Sequence, residues 1–316
     1  MCEICVICGS QLPLNSRLFS VSSVSLWWTS FGCYPVPMRV EIEILGSGTS
    51  AGVPMIGCDC WVCRSENPRN KRLRASVVFR VEGRVFLVDV TPDFRLQALR
   101  SGFSQVDAVL MTHSHADHCH GLDDLRAIYW GGGRKPIDLY GFPETVASIR
   151  HTFAYIFDEE YEYKGIARID THMFEHEPFT VAGIKITPIP VVHGNMRVAG
   201  FRIGDAAYIT DTNLVPPSSI ELLKGVKLLV LDALRRTPHP THMSLPQALE
   251  VAREAGVQRV FFTHINHDLE HESINKTLPD FAKLGYDMLR ASVEEDGSVK
   301  VWDIEPSGLP PLVGMR

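Results

Sequence analysis

From Met38 the chain alternates apolar and polar positions, with Val40, Ile42 and Ile44 on one face and Glu41 and Glu43 on the other. That period of two is the signature of a strand with one buried face. Residues 77–81 and 85–90 form two more β-rich runs around Glu82-Gly83-Arg84, a hairpin signal. Residues 106–111, apolar apart from Asp107, read as a buried strand, and further strands are expected at 184–192, 198–203, 207–210, 227–231, 257–262 and 298–302. Helical periodicity covers 94–101, 143–153 and 245–255, the last with Ser244 placed to cap its start. Strand pairs early and late with helices between them predict an α/β (α+β) fold: two mixed β-sheets flanked by helices, in one domain spanning 38–316.

The first 37 residues do not share this pattern. They are rich in Ser, Cys and Trp, and Glu3 and Arg17 are their only charges. The expectation is a disordered or mis-called extension before Met38. A cleaved signal with residues 18–31 as its apolar part is the alternative, weakened by interrupting serines and the lack of a basic start. Cys2, Cys5 and Cys8 are spaced for metal but have no fourth ligand nearby.

Composition narrows the function classes. With 316 residues, 45% hydrophobic and 22% charged, the chain can bury a sizeable core. A formal net charge of −6 leaves no broad basic face for a nucleic-acid backbone, so nucleic acid is disfavoured as a partner. No apolar run is long enough to span a bilayer. The eight cysteines are clustered rather than spread, which suggests metal binding in a reducing, cytoplasmic setting over a disulfide framework.

The densest chemical signal is His113-x-His115-x-Asp117-His118, directly after the apolar run 106–111. Imidazoles and a carboxylate together suit zinc and similar divalent ions. The competing reading is a chance run of surface histidines, which four potential ligands in six residues at a strand end make a poor account. One motif cannot fill two coordination spheres, and the chain offers further candidates: His193, Asp211 and His264 each follow a predicted strand. Strand C-terminal ends are where open α/β architectures gather their sites. A second cluster, Cys58-x-Cys60-x-x-Cys63, is one thiolate short of a tetrahedral site, and His267 could complete it. Three free thiols are the plainer alternative.

The His-x-His-x-Asp-His motif with its later His, Asp and His resembles the metallo-β-lactamase superfamily, over essentially all of the chain from Met38. The resemblance implies an αββα sandwich. It implies two divalent metal ions (Zn or Mn), one on His113, His115 and His193, the other on Asp117, His118 and His264, with Asp211 bridging. The cysteine cluster with His267 resembles the structural zinc site of PhnP-type phosphodiesterases, which hydrolyse phosphoribosyl cyclic phosphate. Gly46-Ser47-Gly48-Thr49 and Gly52-Val53-Pro54 also resemble that group's opening loop. His242 resembles a non-ligand histidine that in those enzymes and in tRNA 3′-processing endonucleases faces the substrate phosphate. A histidine near neutral pKa suits proton donation, whereas the plainer reading is a capping residue before the helix at 245. His242 and Asp117 are the candidate catalytic residues.

Weaker signals complete the reading. Asp89 could hold a ligand imidazole, and Thr91 stands where the family pattern has glycine. Arg72, Arg74 and Arg126 could clamp phosphate, although exposed arginines are commonly just solvated. Phe153, Tyr155, Phe157, Tyr161 and Tyr163 form an aromatic-rich insertion suited to packing or dimer contact, and His120 and Cys119 have no assigned role. The expected function is hydrolysis of a small anionic phosphodiester, a phosphoribosyl cyclic phosphate or a cyclic nucleotide, by a hydroxide between two metals. A thioester or lactam hydrolase and an RNA-processing nuclease are alternatives on the same fold. A non-catalytic PqqB-like binding protein is the alternative of another class, and there the His motif is eroded. A homodimer is left open.

Overall fold

The computed structural model describes residues 38–158, 160 and 165–302. The readings of the first 37 residues, including Cys2, Cys5, Cys8 and Cys33, lie outside them, as do Tyr161 and Tyr163. All the described residues belong to the unit that starts at Pro37.

The alternation at Met38 becomes β1 (Val40–Gly46), followed by β2 (Ser76–Val81), β3 (Arg84–Val88), β4 (Ala108–Leu110), β5 (Ile137–Gly141) and β6 (Ile169–Met173). Then come β7 (Phe179–Val181), β8 (Ile184–His193), β9 (Met196–Ile203), β10 (Ala206–Ile209), β11 (Leu228–Asp232), β12 (Arg259–Thr263) and β13 (Ala282–Leu284). Finally β14 (Arg290–Val293) and β15 (Val299–Trp302) return to the first sheet. The first sheet runs β15-β14-β1-β2-β3-β4-β5-β6 and the second β13-β12-β11-β10-β9-β8-β7. The first is antiparallel from β15 to β3 and parallel from there to β6. The second is parallel from β13 to β10 and antiparallel on to β7. Both sheets are therefore mixed, as expected.

The helices are α1 (Trp61–Arg64), α2 (Phe94–Ser101), α3 (Ala116–Cys119), α4 (Leu125–Gly131), α5 (Pro143–Thr152), α6 (Ala154–Phe157), α7 (Pro217–Leu223), α8 (Leu245–Ala255) and α9 (His271–Asn275). Three apolar layers result. The inner faces of the two sheets meet through Ile42, Phe79, Phe86, Phe201, Tyr208 and Val230. Phe94, Leu125, Val146 and Ile149 pack helices α2, α4 and α5 on the outer face of the first sheet. Ile220, Leu223, Ala248 and Ala252 pack α7 and α8 on the second. This is the αββα sandwich, and each fully buried large apolar side chain stabilises it by about 1.5–3 kcal/mol.

Local chemistry sets several boundaries. α8 starts at Ser244, whose side chain and backbone N–H pair reciprocally with Gln247, and it stops at Gly256 in the left-handed conformation. β4 is shorter than the apolar run 106–111 because Asp107 accepts from Val85 N (2.9 Å) and pairs with Arg84 (3.0 Å), fixing the strand entry. Glu43, on the outer face of β1, is fully buried and held by Arg80 (2.6 Å), Arg290 (3.1 Å) and Ser101 Oγ (2.6 Å). Among the described residues, no helix is long and apolar enough to cross a membrane.

Candidate metal centre

The loops after β4, β8, β10 and β12 converge on one edge of the sandwich. His113 and His115 follow β4, and the single-turn α3 then carries Asp117 and His118. His193 closes β8, Asp211 follows β10, and His264 follows β12. Asp211 (φ 49°) and His264 (φ 57°) both sit in the left-handed region that non-glycine residues rarely adopt. So does Asp89 (φ 63°), just after β3. Such conformations cluster where a fold must aim a side chain away from its ladder.

The donor atoms fall into two groups, each within 4.8 Å: His113, His115, His193 and Asp211, and Asp117, His118, Asp211 and His264. Asp211 belongs to both. Its Oδ1 lies 3.2 Å from His118 Nε2, while its Oδ2 lies 3.4 Å from His264 Nε2 and 3.9 Å from His113 Nε2. Asp117 Oδ2 lies 3.3 Å from His118 Nε2 and 3.8 Å from His264 Nε2. The seven residues singled out in the sequence are thus brought together.

The rings are held from behind. Asp89 accepts from His118 Nδ1 (2.7 Å), Thr112 N (2.8 Å) and Thr112 Oγ1 (2.8 Å). His193 Nδ1 donates to Thr241 O at 2.6 Å. Fixing Nδ1 in this way leaves Nε2 as the free lone pair, the arrangement metal-ligating histidines use. Thr91 causes no distortion near Asp89: its φ is not positive, and its Oγ1 donates to Gln97 Oε1 (2.9 Å).

Electrostatics describe a centre short of positive charge. Burial alone would lower His118, but Asp211, Asp89 and Asp117 outweigh it and raise that ring well above the usual imidazole range, a pull that a cation at Nε2 would answer equally well. Burial lowers His113 well below that range, with His118 adding to the effect. Burial would raise Asp211, yet His264 and His118 pull it well below the ordinary carboxylate range. His113 Nε2, His118 Nε2 and His264 Nε2 are buried without a hydrogen-bond partner. Buried polar atoms are normally satisfied, so unpartnered ring nitrogens facing shared carboxylates suit divalent cations.

His242 borders the same space, its ring stacked on that of His264 at 4.6 Å and its Nε2 4.0 Å from Asp211 Oδ2. Behind it lies Asp232, which the sequence reading passed over. Asp232 faces His242 Nδ1 at 3.3 Å, accepts from Met243 N at 3.0 Å and lies 3.7 Å from His264 Nδ1. The missed signal was the one used elsewhere: Asp232 ends the apolar strand β11 as Asp211 follows β10.

The second cluster joins the cysteine loop to the loop that carries His264. His267 Nδ1 is 3.1 Å from Cys58 Sγ and 3.5 Å from both Cys60 Sγ and Cys63 Sγ. The small burial of Cys60 is outweighed by the Cys63 N–H and neighbouring thiols, which bring it down to about 7. Burial pushes Cys63 up to about 11. Three thiols and an imidazole converging this closely match a closed tetrahedral zinc site in donor set and spacing.

The suggested phosphate clamp is corrected. Arg72 is buried (2% exposed) and donates to backbone carbonyls, Arg74 pairs with Asp93 (2.9 Å), and Arg126 lies 3.7 Å from Asp123 at the surface. The Arg72 Nη groups are taken by Asn266 O, Leu269 O and Asn70 Oδ1, so the guanidinium is turned into the fold rather than toward a substrate. Of the aromatic insertion, Phe153 packs on His120 (5.7 Å) and Tyr155 donates to Asp123 (2.9 Å), so both serve packing. Cys119 is buried near Ser114 O (3.4 Å), and burial pushes its thiol up to about 12.

A family model described as the beta-lactamase superfamily domain matches residues 84–265. The chain is 43% identical to a diphosphatase from the PhnP family in a crystal structure, covering 81% of this chain and 97% of that one, with a TM-score of 0.76. An octanoyltransferase of Porphyromonas gingivalis is 38% identical over 83% of this chain, which spans only 53% of that protein. A ribonuclease Z of Methanothermobacter thermautotrophicus is 24% identical over 71% of this chain and 87% of its own length.

Proposed function

The chain belongs to the beta-lactamase superfamily, and from that premise we propose that it is a two-metal phosphodiesterase acting on a small anionic phosphodiester. The observation that carries this reading is Asp211, whose two oxygens face His118 on one side and His264 and His113 on the other. In this reading His113, His115 and His193 would hold one divalent ion and Asp117, His118 and His264 the other, with Asp211 available to both donor groups. Two such ions supply Lewis acidity, an activated water and charge neutralisation at the phosphorus. Zinc and manganese both suit the donor set. Cys58, Cys60, Cys63 and His267 would hold a structural zinc. The domain would comprise residues 38–316 and work in the cytoplasm.

The protein's own groups then do three things. Asp89 and Thr241 fix the rings of His118 and His193. Asp232 orients His242 through Nδ1, leaving Nε2 toward the centre to give its proton to the departing oxygen. General acids of this kind contribute about 10²–10⁴-fold. Kinship with a PhnP-family diphosphatase supports chemistry at phosphorus and a small substrate.

Ribonuclease Z relatives over 71% of the chain favour a second reading, cleavage of RNA. The net charge of −6 and the engagement of Arg72 and Arg74 inside the fold weigh against it. The octanoyltransferase name belongs to a protein of which nearly half lies beyond the shared region, so acyl transfer gains little support from it. The deciding experiment is a panel of cyclic nucleotides, ribosyl cyclic phosphate, diphosphates, short RNA and a thioester on protein of measured metal content. Phosphodiester turnover that vanishes on metal removal is expected. Turnover of the thioester alone, or activity in metal-free protein, would overturn the reading.

A further inference from the structure

Arg72 is among the largest fully enclosed side chains of the described residues. Charged groups are rarely buried unless the fold uses them. Its Nη1 donates to Asn266 O (2.8 Å), and its Nη2 to Leu269 O (2.6 Å) and Asn70 Oδ1 (3.2 Å). The two carbonyls bracket His267, and the same short loop begins at His264. The backbone of Arg72 is engaged as well: it exchanges hydrogen bonds with Val53 at 2.7 and 2.9 Å, at the base of the segment leading to Cys58, Cys60 and Cys63. One residue therefore grips both loops of the cysteine–histidine cluster.

Its surroundings leave the His264 loop little freedom. Ile265 N donates to Ser47 O (2.9 Å), and Ile265 O accepts from Thr49 N (3.1 Å). Ser47 is itself held by Asp287 through its N (2.9 Å) and Oγ (2.8 Å), and the same carboxylate takes Leu73 N (2.9 Å). A Cβ on Gly48 would stand 2.8 Å from Arg72 Cβ, so the loop and the Arg72 strand approach as closely as glycine allows.

We propose that Arg72 is a positioning residue for His264, bracing the 264–269 loop against the cysteine loop so that metal at the Cys58/Cys60/Cys63/His267 cluster tightens metal binding by Asp117, His118 and His264. The inference rests on the two-metal reading above. By linkage the effect is reciprocal: metal at the active centre tightens the cysteine cluster by the same factor.

The test is a stepwise cobalt(II) titration of the metal-free full chain. Thiolate-to-cobalt charge-transfer absorption follows the cysteine cluster, and ligand-field bands follow the His/Asp groups. Arg72→Met is expected to weaken binding at the Asp117/His118/His264 group by about tenfold, within the usual range of coupling between sites. Binding at the His113/His115/His193 group should change much less, and Arg72→Lys should recover part of the loss. Cys60→Ser, with Arg72 intact, should weaken the same group and so gives the answer if Arg72→Met does not fold. Equal weakening of both groups indicates general loosening and overturns the proposal, as does no change at either. A wild-type chain whose His/Asp groups take no cobalt sinks the two-metal reading and this proposal together.

Discussion

His118 Nδ1 donates to Asp89 Oδ2 across 2.7 Å, and both residues are sealed from solvent. The bond fixes the ring so that Nε2 faces Asp211 and Asp117. Asp89→Asn would keep the shape but weaken the acceptor. Metal affinity of the centre should then fall about 10–100-fold, the usual scale for partners of ligating imidazoles. Competition with a chelator of known affinity measures it, and an unchanged affinity would reduce Asp89 to a packing residue.

If His242 protonates the leaving oxygen, its importance should scale with how poor that leaving group is. His242→Ala is expected to lower kcat about 10²–10⁴-fold for an alkyl phosphodiester. The loss should be far smaller for bis(p-nitrophenyl) phosphate, whose leaving group departs without a proton. Asp232→Asn should reproduce the pattern more weakly. Equal losses on both substrates would remove His242 from proton transfer.

Asp211 stands between the two donor groups, so Asp211→Ala should unseat both ions. Turnover is expected to fall by more than about 100-fold, beyond the effect of losing an outer partner. Elemental analysis should still find the metal held by Cys58, Cys60, Cys63 and His267. Loss of that metal as well would point to unfolding rather than to the centre.

Glu270 accepts from Ser273 N (2.7 Å) at the start of α9 and from Asn70 Nδ2 (3.0 Å). Burial would raise its carboxyl, but Asn70 and the Ser273 N–H outweigh it and bring it down to about 2. A depressed carboxylate stabilises the fold fully above its ordinary value near 4.5, and that stability fades as pH falls toward about 2. Glu270→Gln should therefore cost about 1 kcal/mol at pH 6, with the difference from wild type shrinking below pH 4.5. Denaturant midpoints at pH 6 and pH 3 test it; a gap independent of pH would contradict the assignment.

What the sequence made legible follows from one physical regularity. Apolar strands β4, β8, β10 and β12 are buried, and histidine or aspartate at their ends must then face a common edge. Strands β5, β6, β7, β13 and β14 were not anticipated: they are short or carry polar residues, as in Ile169-Asp-Thr-His-Met, where the edge of the sheet tolerates them. Asp232 was passed over because it follows no histidine motif, although its position at the end of β11 matches the rule. Arg72 looks like a candidate phosphate clamp in the sequence because burial of a charge depends on distant carbonyls at 266 and 269, which no local pattern reveals.

The origin of the seven side chains has one more consequence. His113, His115, Asp117 and His118 come from the edge of the first sheet, whereas His193, Asp211 and His264 come from the second. In the proposed two-metal form each ion is a cross-link between layers otherwise joined by apolar contact. Separating the layers must then release the ions, so resistance to unfolding becomes a gauge of free metal. At a hundred times its dissociation constant a single ion adds about 2.7 kcal/mol. A cell that starves the protein of metal would loosen the sandwich as it silences the site.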